Sequence, residues 1–406
     1  MNILFDLSAA QPIHTNDFHG GSEYCKAVFF SLCGKISSNP NRKVDVFYNH
    51  GKYLDPKIEY LCRTLKLKTF DCKSGLDINR VLQNNDYALF YSALPYSYID
   101  IIVPERTKFV YTIHGLRSLE YPWDCFTPKY KKLNKRDILK HILYRVCPKF
   151  FVFLSKRRNR QNFSRLFLAV KNQNIITVSG HSKYSLSYFF PEFSFSKVKI
   201  FYSPQKQTMP IQCDEHGMLS FYKIEKGKYI LMICGDRGEK GAYRACKAIV
   251  GLFEKKNPIM PDDLSVVVAG VTYDKYYKKL IKGLNRFIFL DYISSEHLEV
   301  LYKNAHLFLY PTMNEGFGYP PLEAMKYGTL CACSANSSIT EVCSDAVFYF
   351  NPFDETEMSI RILESFDTDI AAEKRKKMEM QYKKIHARQE SDLEELVRFL
   401  INRDTL

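Results

Sequence analysis

Residues 310–328 decide the fold, and they have the sequence Tyr-Pro-Thr-Met-Asn-Glu-Gly-Phe-Gly-Tyr-Pro-Pro-Leu-Glu-Ala-Met-Lys-Tyr-Gly. The apolar run at residues 305–310 has the composition of a buried strand. Gly316 and Gly318 allow loop conformations that other residues disfavour, and the two prolines that follow suit the first turn of a helix. The stretch therefore predicts a strand, a glycine loop and a helix.

This loop is a candidate site for an anionic ligand. Backbone N–H groups at the start of a helix have no partner within the helix and lie at the positive end of its dipole, so they attract phosphate groups. Glu315 lies in the loop, and Glu323 lies in the predicted first helical turn. Both carboxylates can accept hydrogen bonds from hydroxyl groups. The pattern favours a ligand that carries phosphates as well as hydroxyls.

The eleven residues 315–325 resemble the donor-sugar signature of the retaining glycosyltransferases of family 4, which have the GT-B fold. The resemblance implies that Glu315 contacts the transferred sugar. It also implies that the backbone amides of Gly316-Phe317-Gly318 line the sugar and the diphosphate. Glu323 would then hold the ribose of the nucleotide.

Length and composition set the broad class of the protein. A chain of 406 residues is long enough for two domains with separate cores. Asp6 interrupts the apolar run of residues 1–7, so we expect no signal peptide, and no run approaches the roughly 18 apolar residues that suggest a membrane span. We therefore expect a cytoplasmic protein.

Nearly all of the net charge lies in residues 129–165. This segment contains thirteen Lys or Arg and one acid, Asp137, which gives +12 of the chain's +14. Apolar residues are interleaved with the cations, as in residues 138–145 and 150–154. Such a segment suits an anionic membrane surface or a lipid-linked acceptor, with the protein peripheral at the inner face of the membrane. Nucleic acid is a weaker alternative, and a solvated helix face without a partner is a third.

Two predicted strands in the N-terminal half are followed by candidate ligand-binding residues. A predicted strand at residues 2–7 is followed by Gly20-Gly21 and a helical run at 25–32. In the family that the chain resembles, this glycine loop faces the diphosphate and the sugar. His114 follows the predicted strand 107–113, at the carboxyl end where open α/β sheets bind ligands. The resemblance places His114 near the donor sugar and the acceptor.

The C-terminal half begins with a similar arrangement that carries two cations. A predicted strand at 228–234 leads into the glycine-containing loop 235–241. Arg237 offers a planar guanidinium for phosphate oxygens, and Lys240 offers a compact charge. The two resemble the family's Arg and Lys pair that binds the donor diphosphate, although their spacing is shorter than in many members. We expect them to stabilise the departing diphosphate.

Strands alternate with helices in both halves, which predicts an α/β protein with two doubly wound Rossmann-like domains. In the GT-B fold these domains face each other across a cleft. We expect an N-terminal acceptor-binding domain over residues 1–205 and a linker over 206–226. A nucleotide-sugar-binding domain would cover 227–385, and a C-terminal helix at 386–406 would return to the first domain.

The resemblance implies transfer of a sugar from a UDP- or GDP-sugar donor to a hydroxyl of a lipid-linked or oligosaccharide acceptor, with retention at the anomeric carbon. The setting would be synthesis of a surface polysaccharide such as capsule, O-antigen or exopolysaccharide. Catalysis would rest on Glu315, His114, Arg237 and Lys240, without a cofactor. We also expect no metal, because the Asp-x-Asp pattern at residues 367–369 lies in a late polar turn instead of at a strand end.

Two other functions are weighed against this one. A nucleotide-sugar 2-epimerase of similar fold would use the same kind of site, and analysis of products without an acceptor distinguishes it. A basic nucleic-acid-binding protein would depend on residues 129–165 alone, and its binding would survive loss of Glu315. A Rossmann dehydrogenase is disfavoured, because Gly316 and Gly318 are followed by Tyr-Pro-Pro instead of the third glycine of its fingerprint.

Overall fold

The computed structural model describes residues 2–12, 20–37, 42–97, 100–130, 132–206 and 211–402. Within these residues the chain forms two compact units. The first unit draws on residues 1–119, 157–207 and 386–406. The second draws on residues 120–156 and 208–385.

The described part of the first unit is built on a seven-stranded parallel sheet. In chain order its strands are β1 (Asn2–Asp6), β2 (Lys43–Tyr48), β3 (Lys68–Asp71), β4 (Leu89–Ser92), β5 (Lys108–Ile113), β6 (Gln173–Thr177) and β7 (Val198–Ile200). Their order across the sheet is β3-β2-β1-β4-β5-β6-β7. The central strands are apolar on both faces because helices cover both sides of such a sheet. Every residue of β5 is buried.

A second parallel sheet, with six strands in the described residues, organises the second unit. Its strands are β8 (Tyr229–Met232), β9 (Ser265–Ala269), β10 (Phe287–Leu290), β11 (Leu307–Tyr310), β12 (Leu330–Ser334) and β13 (Phe348–Phe350). Their order is β10-β9-β8-β11-β12-β13. The order changes direction at β8 and β11, which are neighbours, so the loops after these two strands lie side by side at one edge of the sheet.

Helices connect the strands in both units. They are α1 (Gly20–Ile36), α2 (Pro56–Thr64), α3 (Gly75–Asn84), α4 (Arg117–Glu120), α5 (Thr127–Tyr130), α6 (Lys135–Val146), α7 (Pro148–Ala169), α8 (Gly180–Phe189), α9 (Glu215–Phe221), α10 (Ala242–Glu254), α11 (Lys275–Leu280), α12 (Ser295–Asn304), α13 (Tyr319–Met325), α14 (Ile339–Cys343), α15 (Glu355–Glu364) and α16 (Thr368–Ile401). The prediction of an α/β protein with two doubly wound sheets is confirmed.

The basic segment lies differently from the prediction, which assigned all of residues 129–165 to the N-terminal domain. Residues 120–156 group with the second unit. Two contacts explain this placement. Asp124 accepts a hydrogen bond of 2.5 Å from Arg244 of α10, and the buried Tyr130 ring lies 6.4 Å from the ring of Tyr277 in α11. The first of the three chain segments that form the first unit therefore ends at residue 119.

The predicted linker and C-terminal helix also have different bounds in the structure. Within the predicted linker 206–226, α9 is a formed helix with Met218 and Leu219 buried, while residues 207–210 lie outside the described part of the chain. The predicted helix at 386–406 is the end of α16, which begins at Thr368. Residues 386–406 group with the first unit.

The end of α16 makes specific contacts in the first unit. The side chain of Gln389 donates a hydrogen bond of 2.6 Å to the carbonyl oxygen of Ser203, and Asp392 accepts one of 2.8 Å from the backbone N–H of Tyr202. Leu396 and Leu400 are buried on the same helical face. The charged sequence of the helix interior therefore still provides an apolar face for this unit.

We expect Gly241→Ala to destabilise the second unit. Gly241 joins a short 3-10 helix, Gly238–Lys240, to α10 with a φ of +71°. A Cβ at this position would lie 2.1 Å from the carbonyl oxygen of Pro311. Left-handed strain costs about 1–2 kcal/mol, and the clash with backbone adds to it, so the melting temperature in a thermal-denaturation scan falls.

Gly251→Ala is the matched control within α10. A Cβ there meets no atom within 4 Å beyond the helix's own backbone. Alanine in a helix interior is favoured over glycine by about 0.5–1 kcal/mol, so this variant should melt at a temperature equal to or above that of the wild type. Equal changes in the two variants would contradict the role given to Gly241.

Candidate functional site

The loop between β11 and α13 has the predicted strand, glycine and helix arrangement. Gly318 immediately precedes α13 and has a φ of +113°, a backbone conformation that residues other than glycine rarely adopt. A Cβ there would lie 2.8 Å from Cδ1 of Ile339. The structure thus gives a physical reason for glycine at this position. The helix that follows is seven residues long.

Glu315 lies at the centre of a polar cluster. Its Oε1 atom accepts hydrogen bonds from Lys240 Nζ, the Tyr310 hydroxyl and, at 3.0 Å, the Thr312 hydroxyl. The side chains of Lys240 and Glu315 are only 7% and 14% exposed. Lys240 also donates to the Tyr310 hydroxyl at 2.8 Å. All three of these hydrogen bonds are accepted by Oε1, and none of them involves Oε2.

The cluster keeps Glu315 ionised. Burial alone would raise the pKa of the Glu315 carboxyl. The charge of Lys240 and the hydrogen bonds from Lys240, Tyr310 and Thr312 outweigh burial and lower the pKa below its usual value. The site therefore holds a buried cation and a buried anion side by side.

Backbone contacts fix the loops after β8 and β11 to each other. The N–H of Met313 donates a hydrogen bond of 2.7 Å to the carbonyl oxygen of Glu239. On the other side, the N–H of Glu315 donates at 2.9 Å to the hydroxyl of Ser337, and the hydroxyl of Ser338 donates at 3.1 Å to the carbonyl oxygen of Glu315. Glu315 is thus positioned through its backbone as well as its side chain.

Arg237 and Glu323, the other charged residues predicted for this site, have contacts of their own. The Arg237 guanidinium donates to Glu239 at 2.8 and 3.0 Å. Burial would lower the pKa of Arg237, but Glu239, with a smaller effect from Glu315, raises it. Glu323 is the fifth residue of α13, not in its first turn as predicted, and is half-buried. Burial, with a smaller effect from the Glu323 carboxylate, raises the pKa of Tyr302.

Residues 220–385 match the family model described as Glycosyl transferases group 1. This segment is similar to the group 1 glycosyl transferases. We refer to it below as the group 1 segment. It contains Lys240, Glu315 and the loops that join them.

Parts of the chain are also similar to individual proteins. O-antigen chain mannosyltransferase B of Escherichia coli is 42% identical over 81 residues, which cover 20% of this chain and 21% of that protein. The O-antigen chain mannosyltransferase RfbU of Salmonella typhimurium is 26% identical over 250 residues, which cover 60% of this chain and 57% of that protein. The match therefore spans about a fifth of one curated relative and just over half of the other.

A solved structure resembles the whole chain. HepE of Anabaena, in complex with UDP, has a TM-score of 0.63 and 15% sequence identity, and the match covers 98% of this chain and 99% of that one. At this identity the likeness shows the fold. The prediction of the GT-B fold is confirmed.

The predicted site residues outside the group 1 segment lie in the first unit. Gly20 and Gly21 are the first two residues of α1, so they open the helix itself instead of preceding it. His114 directly follows β5, as predicted. Its Nε2 atom lies 3.0 Å from the carbonyl oxygen of Ala93. Because a carbonyl only accepts, Nε2 carries a proton. The ring of Tyr24 meets the His114 ring edge-on at 4.7 Å.

Several residues in contact with the group 1 loops were not identified from sequence. Asn314 donates a hydrogen bond of 2.5 Å to Glu120, and Gly238 lies against Tyr130, since a Cβ on this glycine would be 3.2 Å from the Tyr130 ring. The Asp124–Arg244 pair completes this set. Nothing in the local sequence signals these contacts, because the partners are more than 100 positions apart.

The Asp124–Arg244 pair should contribute strongly to stability. Its side chains are 3% and 10% exposed. Asp124→Ala leaves Arg244 charged and buried without its partner, which costs about 3–5 kcal/mol. For a unit of this size we expect the melting temperature to fall by about 6 °C or more in a thermal-denaturation scan.

The exposed pair Lys228–Asp263 provides the control. Its atoms are 2.6 Å apart, but the side chains are 47% and 53% exposed. Surface pairs contribute about 0–1 kcal/mol, so Asp263→Ala should shift the melting temperature little. A similar fall in both variants would show that burial of the Asp124–Arg244 pair is unimportant.

The pH dependence of Lys240→Met should reveal the ionised state of Glu315. In the wild type, the lowered pKa contributes stability that is present above the unfolded pKa of about 4.5 and is lost as the pH falls through the lowered value. Without the Lys240 charge, burial raises the pKa of Glu315. The melting temperature of the variant should therefore lie furthest below that of the wild type at neutral pH, and the difference should shrink toward pH 4.5.

Lys279→Met is the control for this experiment, because Lys279 is an exposed lysine of α11. It should change the melting temperature little at any pH in the range. A deficit of Lys240→Met that stays constant with pH would mean that Lys240 does not set the ionisation of Glu315.

Proposed function

We propose that this protein is a retaining, metal-independent glycosyltransferase that moves a sugar from a nucleotide-sugar donor to an acceptor hydroxyl. The observation that carries the proposal is the buried Lys240–Glu315 pair in the loops of the group 1 segment. A donor presents both anionic phosphates and neutral hydroxyls. The site offers a matching cation and carboxylate at one point.

The pair has a direct role in this proposal. The donor diphosphate would accept hydrogen bonds from Lys240 and from Arg237 as negative charge grows on the leaving group. The carboxylate of Glu315 would then accept hydrogen bonds from sugar hydroxyls, using the oxygen that the cluster leaves uncommitted. Both buried charges thereby keep a partner when the donor is bound, which avoids the cost of an unpaired buried charge.

The remaining predicted residues have supporting roles in the proposal. The backbone amides of Gly316, Phe317 and Gly318 would line the sugar and diphosphate, and Glu323 would hold the ribose. In the first unit, Gly20-Gly21 would face the diphosphate. His114, whose Nε2–H donates a hydrogen bond to the carbonyl oxygen of Ala93, would lie near the sugar or the acceptor.

The similar proteins suggest which sugar is transferred and in which biosynthetic process. Two of them are O-antigen chain mannosyltransferases, so we propose mannose as the first sugar to test and a surface polysaccharide as the product. We further propose a lipid-linked or oligosaccharide acceptor, with the protein peripheral at the inner face of the membrane. Residues 129–165 support this location through their charge of +12.

A thermal-shift screen against UDP, GDP, ADP, dTDP and CMP, with and without EDTA, tests the donor site. A ligand that binds only the folded state raises the melting temperature with the logarithm of its concentration over its dissociation constant. We expect one nucleoside diphosphate to stabilise the wild type regardless of EDTA. The shift should be lost in Lys240→Met and Glu323→Ala and kept in Lys279→Met.

Turnover with the matching nucleotide sugar then separates binding from chemistry. Glu315→Gln should keep the nucleotide shift but lower kcat by about 100-fold or more, because its proposed contact is with the sugar and not with the nucleotide. No shift with any nucleotide would overturn the proposal. Isomerised donor formed without an acceptor would instead identify an epimerase.

A further inference from the structure

Helix α6 exposes its apolar residues to solvent. Its exposed apolar side chains are Ile138, Leu139, Ile142, Leu143 and Val146. Leu139 and Val146 are 68% and 72% exposed. At 100° per residue these five positions span one continuous face of the helix. No residue of α6 is buried.

The opposite face of α6 is polar and half-buried. The half-buried positions of this helix are Asp137, His141 and Tyr144. They are four and three residues apart, so they share one face. The ring of Tyr144 meets the ring of Phe151 edge-on at 5.8 Å. A surface helix of a soluble protein normally buries its apolar face and exposes its polar face. In α6 this arrangement is inverted.

The exposed apolar surface continues into the first turns of α7. Phe150 and Phe153 are 56% and 59% exposed, and Leu154 is also exposed. An apolar patch of this kind on a soluble protein marks a binding surface. Its occupant must be apolar.

Cations border the same surface. The exposed ones are Lys132, Lys135, Arg136, Lys140, Arg145 and Lys149. The acid of this region, Asp137, lies on the half-buried face and pairs with Lys140 at 3.6 Å. Below the helix, a cavity of about 450 Å³ is lined by Lys129, His141 and Arg145 among others. The occupant must therefore be anionic as well as apolar.

We propose that the apolar face of α6 and the start of α7 docks on an anionic lipid bilayer, with α6 lying in the plane of the interface. An interfacial helix of this kind buries its apolar residues at the boundary between headgroups and acyl chains, and its cations contact lipid phosphates. No described helix is long and apolar enough to cross a membrane. Nucleic acid fits less well, because six of the eight exposed apolar side chains, all except Phe150 and Phe153, are aliphatic and offer no stacking surface for bases.

This inference deepens the membrane location proposed above, but its test requires no sugar transfer. The full-length protein is sedimented with sucrose-loaded vesicles of pure phosphatidylcholine, or of phosphatidylcholine with phosphatidylglycerol. We expect binding to the anionic vesicles, little binding to the neutral ones, and weakening as salt rises. The single tryptophan, Trp123, lies 5.7 Å from Phe151, so its fluorescence provides a second readout.

Two pairs of variants separate the apolar and the charged contributions. Leu139→Ser/Val146→Ser should lower the partition coefficient by about tenfold or more at every salt concentration. Lys135→Gln/Lys140→Gln should lower it chiefly at low salt. The matched controls are Ile360→Ser, at a 47% exposed position of α15, and Lys279→Gln. Both should bind vesicles like the wild type.

Each outcome bears on the inference. Absence of binding to anionic vesicles, or binding that ignores Leu139 and Val146, overturns it. A dimer in size-exclusion chromatography with light scattering that is lost in Leu139→Ser/Val146→Ser also overturns it, because a second copy would then cover the surface. The nucleotide thermal shift is measured in parallel. Vesicle binding without that shift would reject the proposed function and leave the inference standing, and the reverse result would do the opposite.

Discussion

The buried ion pair between Lys240 and Glu315 is the constraint on which the loops of the second unit depend. Each charge would be costly to bury alone, so the loops that carry them must stay in register. Adjacent strands β8 and β11 bring these loops to one edge of the sheet. Gly241 then allows the close approach to Pro311 that places Lys240 beside the carboxylate. Sheet order, the conformation of Gly241 and the burial of both charges thus all help to position Lys240 beside Glu315.

The strands and the glycine loop of the second unit could be predicted from sequence, because the patterns that indicate them are local. Apolar runs identified the strands, and the residues from Glu315 to Gly318 identified the loop. Contacts between distant segments could not be predicted in this way. Asn314 donates a hydrogen bond to Glu120, 194 positions away, and Asp124 accepts one from Arg244, 120 positions away. Sequence identified the loops, while the partners of their side chains required three-dimensional structure.

The basic segment shows a second limit of sequence analysis. The spacing of Ile138, Leu139 and Ile142 predicts an amphipathic helix, and α6 is one. Spacing cannot say which face the rest of the protein covers, however. Here the polar face is half-buried and the apolar face is exposed. The same pattern would describe an ordinary surface helix packed the other way round. The sequence could therefore suggest a membrane contact, but only burial shows which side chains are exposed to make it.

The placement of α6 follows from the contacts that precede it. Residues 120–130 are attached to the group 1 loops through Glu120, Asp124 and Tyr130. Helix α6 begins only five residues after Tyr130. This short connection holds the inverted helix in the same compact unit as Lys240 and Glu315, even though the strand before it in the chain, β5, belongs to the first unit. On a membrane, the proposed docking helix would therefore belong to the same compact unit as the loops that carry Lys240 and Glu315.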